Sequence, residues 1–394
     1  MFLNQISASC LCSLFYLGLT SSALAQITPA QTTRVDSSDS RNFTINGGDR
    51  AGSNLFHSFQ EFSVPTAGSA IFNNAIDIKN IFTRITGGDR SSIDGLIQTN
   101  GSPNFFLINP NGIIFGANAR LNIGGSFFGS TANSIRFSDG TQFSAIDSTS
   151  SLLTVSAPIG LQYGVNPSAI VVQGIGNNLR LGVDFETLRS DRPTGLQVSS
   201  GQTLALIGGD ILFSGGNITA PNGHIELGSV QSAGTVSVTN NTFNYQDIST
   251  FGDIRLAQAA SADASSGGSI QVQAQRLTLS EGSALVANVL NSSSGNGITI
   301  RATESVNLRG VASSLANPIF PSTFVSEVDT GATGQGGNIS ITTGKLRISD
   351  GGLISAAVFG AGQGGNVQIA AQAVNLVGGA FEVCVNRWEL SRYS

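Results

Sequence analysis

Charge is what this 394-residue chain has least of: 19 Lys and Arg and 24 Asp and Glu make up 11% of it, less than half the roughly 25% usual for soluble globular domains. A conventional charged surface is not available, which argues against an ordinary cytosolic enzyme. There are only two lysines, Lys79 and Lys345, and two histidines, His57 and His224, so catalytic bases are scarce. A net charge of -5 gives no sign of a basic patch, and nucleic acid is not expected as a partner. Cysteine is absent from residues 26–383; Cys10, Cys12 and Cys384 are all there is, which excludes a disulfide framework or cysteine metal site in that span.

Long apolar runs are missing too. Residues 11–19, LCSLFYLGL, form the one short run, followed by Ala23-Leu24-Ala25 before Gln26. This reads as a secretory signal peptide over 1–25, cleaved after Ala25, and it is too short to span a bilayer. Residues 1–10 carry no Lys or Arg, where a basic start is usual, so a start codon further upstream fits. Ser7 stands where a lipoprotein needs an aliphatic residue before Cys10. No later run reaches about 18 apolar residues, so no transmembrane segment is expected in the mature chain.

What is present is apolar residue (40%), 23 Phe and 49 Gly, enough to build a core and unlike a disordered chain. Residues 26–40 are polar and Ser/Thr-rich without a period and are expected to form a leader with no element of its own. From Asn42 onward, apolar and polar residues alternate over runs of four to seven residues separated by Gly, Asn, Asp and Ser. That is a strand-and-turn pattern, as at Phe43 and Ile45; Ile76, Ile78 and Phe82; Leu204 and Leu206; Ile211 and Phe213; Val236 and Val238.

Four segments of the second half repeat: GGSIQVQAQRLTLSEG (267–282), NGITIRATESVNLRG (296–310), GGNISITTGKLRISDG (336–351) and GGNVQIAAQAVNLVGG (364–379). Their first apolar positions, Ile270, Ile298, Ile339 and Val367, are 28, 41 and 28 residues apart. ANPIFPS at 316–322 marks a loop inserted in the long interval, and the second unit has one extra residue before Val306. Two apolar pairs and a weaker third stretch per unit make three short strands, one turn of a parallel β-helix whose coils are stable only as an array. Gly and Asn supply the corners, where positive φ is needed. At roughly 22 to 28 residues per coil, about 13 to 16 coils and a rod of about 60 to 80 Å are expected.

Motifs for chemistry mostly fail. Gly344-Lys345-Leu346 lacks the rest of a phosphate loop, and Gly174-Ile175-Gly176 has Leu179 in place of the third glycine. Gly87-Gly88-Asp89 and Gly208-Gly209-Asp210 are isolated, not a calcium-binding array. No cofactor, metal site or catalytic residue is expected. His57, among Phe56, Phe59 and Phe62, and His224, after a turn, are assigned structural or surface roles. Because polysaccharide lyases and hydrolases also use β-helices, the pairs Asp253 and Arg255, Asp184 and Glu186, and Glu327 and Asp329 leave open an enzymatic alternative acting on glycans.

One block stands out, NFFLINPNGIIFGANARLNIGGSFFGSTA at 104–132. Asn109-Pro110-Asn111-Gly112 is a strong turn sequence between two core strands. With NLFHSFQEFSV (54–64), IKNIFTRITGGDRSSIDGLIQTNG (78–101) and LALIGGDILFSGGNITAPNGHIELGSV (204–230), the block resembles the filamentous haemagglutinin N-terminal domain, the secretion domain of two-partner secretion exoproteins, in its cyanobacterial form. The resemblance covers roughly residues 27–250. It implies an all-β fold, a right-handed parallel β-helix (β-solenoid), and a non-enzymatic protein secreted through the periplasm to the cell surface or medium by an outer-membrane β-barrel transporter. Asn109, Pro110, Asn111 and Gly112 match its secretion-linked motif. A second family motif, NPNL, has no literal match; Asn166-Pro167-Ser168-Ala169 comes nearest and is given no role.

The expected organisation is therefore a signal peptide (1–25), a secretion domain (26–250), β-helical repeats (251–380) and an atypical tail (381–394), FEVCVNRWELSRYS, that reads as a truncation or frameshift or else as a cap. The resemblance further implies an adhesin-like role with a cell-surface or glycan receptor. An inert remnant of a larger exoprotein is the remaining alternative. The lack of a cysteine pair suits threading through a narrow barrel, since a disulfide formed in the oxidising periplasm would block it.

Overall fold

Every regular element among the described residues is a β-strand. The computed structural model describes residues 26–147, 153–239, 242–312, 320–378 and 380–382. The expected signal peptide and nearly all of the atypical tail lie outside these residues.

The chain winds as a parallel β-helix with three strand faces per coil. On the first face, Asn54–Phe62, Asn80–Ile85, Asn104–Ile108, Phe127–Ser130, Thr203–Gly208 and His224–Ser229 stack in parallel register, followed by the leading halves of Ser269–Ser280, Gly297–Arg309, Ile339–Ser349 and Val367–Val377. The second face runs from Ser91–Ile93 through Ile113–Phe115, Ile170–Gln173, Ile211–Ser214 and Asp253–Ala257 into the trailing halves of the same four long strands. Short strands such as Ser69–Phe72, Ser261–Asp263 and Ala284–Val286 make the third face. Inward side chains stack on their equivalents: Leu55, Ile81, Phe105, Phe127, Leu204, Ile225, Ile270 and Ile298 are all buried, and each contributes about 1.5–3 kcal/mol by leaving water.

The four repeats fall into the register their alignment gives, Ile270 beside Ile298, Ile298 beside Ile339, and Ile339 beside Val367. The extra residue before Val306 is absorbed by a register shift between Ala302 and Ser305. No gap marks residue 250, because Ser269–Ser280 pairs with both His224–Ser229 and Asp253–Ala257.

Several expectations need correction. Among the described residues ten strands stack on the first face, giving ten coils there rather than 13 to 16, and nine steps of about 4.8 Å give a length of about 43 Å. The difference lies in segments 132–147, 153–165, 174–195, 231–239 and 242–252, which leave the helix. Residues 26–40 are not an unstructured leader: Ile27–Ala30 pairs antiparallel with Asn54–Phe62, and Thr33–Asp36 with Asn42–Gly47. They close the open end of the stack, which would otherwise present unpaired backbone groups. Ile76 sits in a turn and is 76% exposed. Val236 and Val238 do lie on a strand, but on one outside the helix.

That outer strand, Gly234–Thr239, joins Ser134–Phe137, Gln142–Ser144, Pro158–Tyr163 and Thr242–Asn244 in an antiparallel sheet laid over the first face. What it covers is a file of outward phenylalanines, one per coil. Phe56 and Phe82 have ring centroids 5.0 Å apart, Phe82 and Phe106 4.8 Å, and Phe106 and Phe128 4.3 Å. Left in water this stripe would be an aggregation hazard; covered by Ile135, Phe137, Phe143 and Leu161 it becomes a second core. Arg84 is buried at its margin, donating to Ser58 Oγ at 2.8 Å and Gln31 Oε1 at 3.0 Å with its guanidinium 4.4 Å from the Phe143 ring. Burial pushes that guanidinium down to about 10, which still leaves it charged at neutral pH.

Candidate functional site

Asn109, Pro110, Asn111 and Gly112 form the corner that carries the chain from the first face at Asn104–Ile108 to the second at Ile113–Phe115. The Gly112 amide donates to the Asn109 carbonyl at 3.1 Å, closing a four-residue turn. Pro110 occupies its second position, where a fixed φ is favourable and no amide proton is needed. Gly112 has φ +111°, and a Cβ there would lie 3.1 Å from the Ala169 carbonyl, so this position suits glycine on both counts.

The two asparagines tie the corner to the preceding coil. Asn109 is fully buried. Its Nδ2 donates to the Asp89 carbonyl and to Ser91 Oγ, both at 3.0 Å, while its Oδ1 accepts the Asn111 amide at 2.9 Å. Asn111 is exposed, and its Nδ2 donates to the Gly87 carbonyl at 2.7 Å. The Ser91 amide donates to the Gly112 carbonyl at 3.0 Å. Toward the following coil, the Asn109 amide donates to the Ser130 carbonyl at 2.9 Å and the Ile113 amide to that of Ala169 at 3.3 Å.

The corner is one rung of a column. Gly87-Gly88-Asp89 lies on the coil before it and Asn166-Pro167-Ser168-Ala169 on the coil after it, ending directly before Ile170–Gln173. Gly208-Gly209-Asp210 follows, with the Gly209 amide donating to the Ser168 carbonyl at 3.0 Å and the Ile170 amide to that of Asp210 at 2.9 Å. Strings that look isolated in sequence are neighbours in one stack. Asn109, Pro110, Asn111 and Gly112 carry no charged group, so the corner itself presents turn shape and amide hydrogen-bonding groups.

A second ladder went unread in the sequence. Asn80 Nδ2 donates to Asn54 Oδ1 at 2.9 Å, Asn104 Nδ2 to Asn80 Oδ1 at 3.0 Å, and the Ser126 amide to Asn104 Oδ1 at 3.0 Å. Its signal was the recurrence of Asn, an apolar residue and Phe at 54–56, 80–82 and 104–106.

The candidate catalytic groups are spread over the rod. His57 is buried with Nδ1 3.2 Å from Thr33 Oγ1, and burial pushes its pKa down to about 4. His224 bridges Ser269 Oγ at 2.8 Å and Glu226 at 3.0 Å; Glu226 is fully buried and also accepts the Tyr245 hydroxyl at 2.6 Å. Asp253 pairs with Arg255 at 2.8 Å. Asp184 and Glu186 meet through the Asp184 amide and Glu186 Oε2 at 3.1 Å. Glu327 and Asp329 both take Asn288 Nδ2, at 3.3 and 2.8 Å. Burial pushes Glu327 up to about 7 and Asp329 to about 6. Their neighbours come from the excursion 174–195, whose Thr187 amide reaches Glu327 and whose Arg189 and Arg192 lie 2.6 and 3.5 Å from Asp263. This group is closed off by the excursion and joins distant parts of the chain. Among the described residues, no group of three or more His, Cys, Asp or Glu side chains is placed to hold a metal ion, and no helix is long and apolar enough to cross a membrane.

A family model described as the TPS secretion domain matches residues 25–274, more than half of the chain. Among solved structures, the HMW1 secretion domain from Haemophilus influenzae is similar with a TM-score of 0.61 at 19% identity, over 92% of this chain and 84% of that one; at that identity the likeness speaks for the fold. A filamentous hemagglutinin secretion domain aligns at 16% identity over 89% of this chain and 99% of that one, with a TM-score of 0.38. No curated protein matches the chain.

Proposed function

The chain belongs to the TPS secretion domain family, and from that membership we propose that it is a two-partner secretion exoprotein. Residues 26–250 address it to an outer-membrane β-barrel transporter, and the coils of residues 251–380 project as a non-enzymatic, adhesin-like rod at the cell surface or in the medium. The route runs through the periplasm after removal of residues 1–25. The family match carries this reading, and the corner at residues 109–112 supports the placing of the address.

The turn at Asn109 gains part of its hold from the coil before it, where the amide groups of Asn109 and Asn111 donate to Gly87, Asp89 and Ser91. Each coil likewise templates the next strand through parallel pairing, so folding can advance coil by coil as the chain emerges, as in other solenoids. Such folding on the far side of the membrane disfavours return and needs no ATP. The capped start at Ile27–Ala30 and Thr33–Asp36 supplies the first template.

The test is secretion of the full chain with and without its transporter, comparing wild type with Asn109→Ala/Asn111→Ala and checking by circular dichroism that both fold. Transporter-dependent release of the wild type, with the folded double variant held in the periplasm, is the expected result. Equal export of both, or export without the transporter, removes the reading.

A further inference from the structure

The outward side of the second face changes character along the rod. At one position of each coil the column runs Ile114, Val171, Leu212 and then Arg255, Thr278, Asn307 and Arg347. Two residues before it, Arg276, Ser305 and Lys345 stack, and two after it Ser280, Arg309 and Ser349. Five cations are thus gathered on four adjacent coils, in a chain with 19 Lys and Arg in all and a net charge of -5. The expectation of no basic patch was an average over the sequence. Arg255, Arg276, Arg309 and Arg347, one from each coil, follow one another at intervals of 21, 33 and 38 positions, and only the coil period brings them together.

Their surroundings are open. Arg255, Arg276, Arg309 and Arg347 border a groove of about 340 Å³ that Thr278 and Asn307 also line. One acid lines it, Asp253, 2.8 Å from Arg255 and 2.9 Å from Arg276, and Glu304 pairs with Arg276 at 3.1 Å. Arg309, Lys345 and Arg347 are exposed and have no ion-pair partner among the described residues.

We propose that this groove binds an acidic polysaccharide, with its carboxylate groups on Arg309 and Arg347 and its hydroxyls on Thr278 and Asn307, and with Lys345 adding positive charge from the neighbouring column. Guanidinium groups pair carboxylates in a planar two-bond fork, and four of the five cations are arginines. Successive coils repeat at about 4.8 Å, close to the length of one pyranose ring, so a uronate chain lying along the rod meets a similar set of groups on each coil. Single-stranded nucleic acid needs aromatic platforms for its bases, and none borders the groove. A membrane surface calls for exposed apolar residues to insert, and Leu308 is buried. Neutral glycans leave the arginines unpaired.

The site deepens the adhesin-like reading by naming a ligand class, yet it is tested without export. Purified full-length chain is titrated calorimetrically with polygalacturonate oligomers, with neutral dextran oligomers of similar length, with single-stranded DNA and with anionic phospholipid vesicles. Polygalacturonate is expected to bind, to weaken with added salt, and to bind at least about tenfold more weakly to Arg309→Gln/Arg347→Gln. Both side chains are exposed and outside the ion pairs, so the fold is kept, which circular dichroism checks. Arg34→Gln/Arg41→Gln removes the same charge from the opposite end of the rod and is expected to bind like wild type. Equal loss in both variants, no binding of polygalacturonate, or dextran, DNA or vesicles binding as tightly, overturns the proposal. A secretion failure alone leaves these readouts intact.

Discussion

Asn109 and Asn111 stand two residues apart in one turn and reach the same preceding coil, one from a fully buried position and the other from the surface. Burial separates their roles. Asn109 Oδ1 takes the Asn111 amide while its Nδ2 satisfies the Asp89 carbonyl and Ser91 Oγ, so it holds the turn's shape. Asn111 spends its amide on the Gly87 carbonyl and still faces solvent.

Asn109→Ala is therefore expected to cost about 1–3 kcal/mol, because it strands buried partners, and Asn111→Ala about 0.5–1.5 kcal/mol, the range for one ordinary hydrogen bond. Urea unfolding of each single variant measures this. Under the proposed function, export of Asn111→Ala drops by more than its stability loss explains. An export defect that tracks stability across both variants would make residues 109–112 a turn and nothing else.

The Arg189 and Arg192 contacts with Asp263 give a second prediction. Burial alone would raise the Asp263 carboxyl, but the Arg192 and Arg189 guanidinium groups together with the hydrogen bonds from Ser265 outweigh it and hold the group below its ordinary range. Removing one partner from a buried pair leaves uncompensated charge and typically costs about 3–5 kcal/mol. Asp263→Ala should thus release the excursion 174–195, seen as loss of amide-exchange protection at Leu179 and Thr187, with the coils of the first face unaffected. Asp77→Ala, which breaks the exposed Arg50 pair, should change nothing measurable. Unaltered protection of residues 174–195 in Asp263→Ala would mean that the packing of Leu179 against Ala284, Val286 and Phe320 holds the excursion without the ion pair.

The inner helix was legible because its residues obey a short rule. Ile270, Ile298, Ile339 and Val367 recur at the coil period, and a period of alternating residues says which way they point. The outer sheet obeys no such rule. Phe56, Phe82, Phe106 and Phe128 point away from the helix core, and nothing local tells a reader that Ile135 and Leu161 will cover them. The basic groove was invisible for the opposite reason, since Arg255, Arg276, Arg309 and Arg347 look like ordinary outward polar positions until the coils are stacked. The corner at Asn109 was found as a turn, while its hold on Asp89 and Ser91 depends on a neighbour one coil away. Residues 26–40 were misread because a cap pairs antiparallel and only once, leaving no period.

The two ends of the rod should respond to pH in opposite directions. Near the start, burial lowers His57 from an ordinary 6.5 to about 4. Between those values the unfolded chain binds the proton and the folded one does not, so the stability His57 contributes is lost as pH falls from about 6.5 to 4. Near the other end, burial raises Glu327 from 4.5 to about 7, against the Ser355 hydroxyl bond that favours its charged form. Here the folded chain holds the extra proton, so stability is greatest below about pH 4.5 and is lost as pH rises toward 7. Shifts of this size correspond to at most about 3.4 kcal/mol each, and their opposite signs partly cancel in a whole-molecule melting curve. A stack whose coils touch only their neighbours opens locally, so amide exchange, corrected for its intrinsic pH dependence, resolves the two ends. On acidification from pH 7 to 5, amides near Phe56 and Phe59 should lose protection while those near Val325 and Val328 gain it. His57→Gln should abolish the first change and Glu327→Gln combined with Asp329→Asn the second, because Asp329 is raised in the same direction to about 6, each leaving the other in place. Protection that moves in the same direction at both ends, or survives unchanged in both variants, would locate the pH sensitivity in other groups.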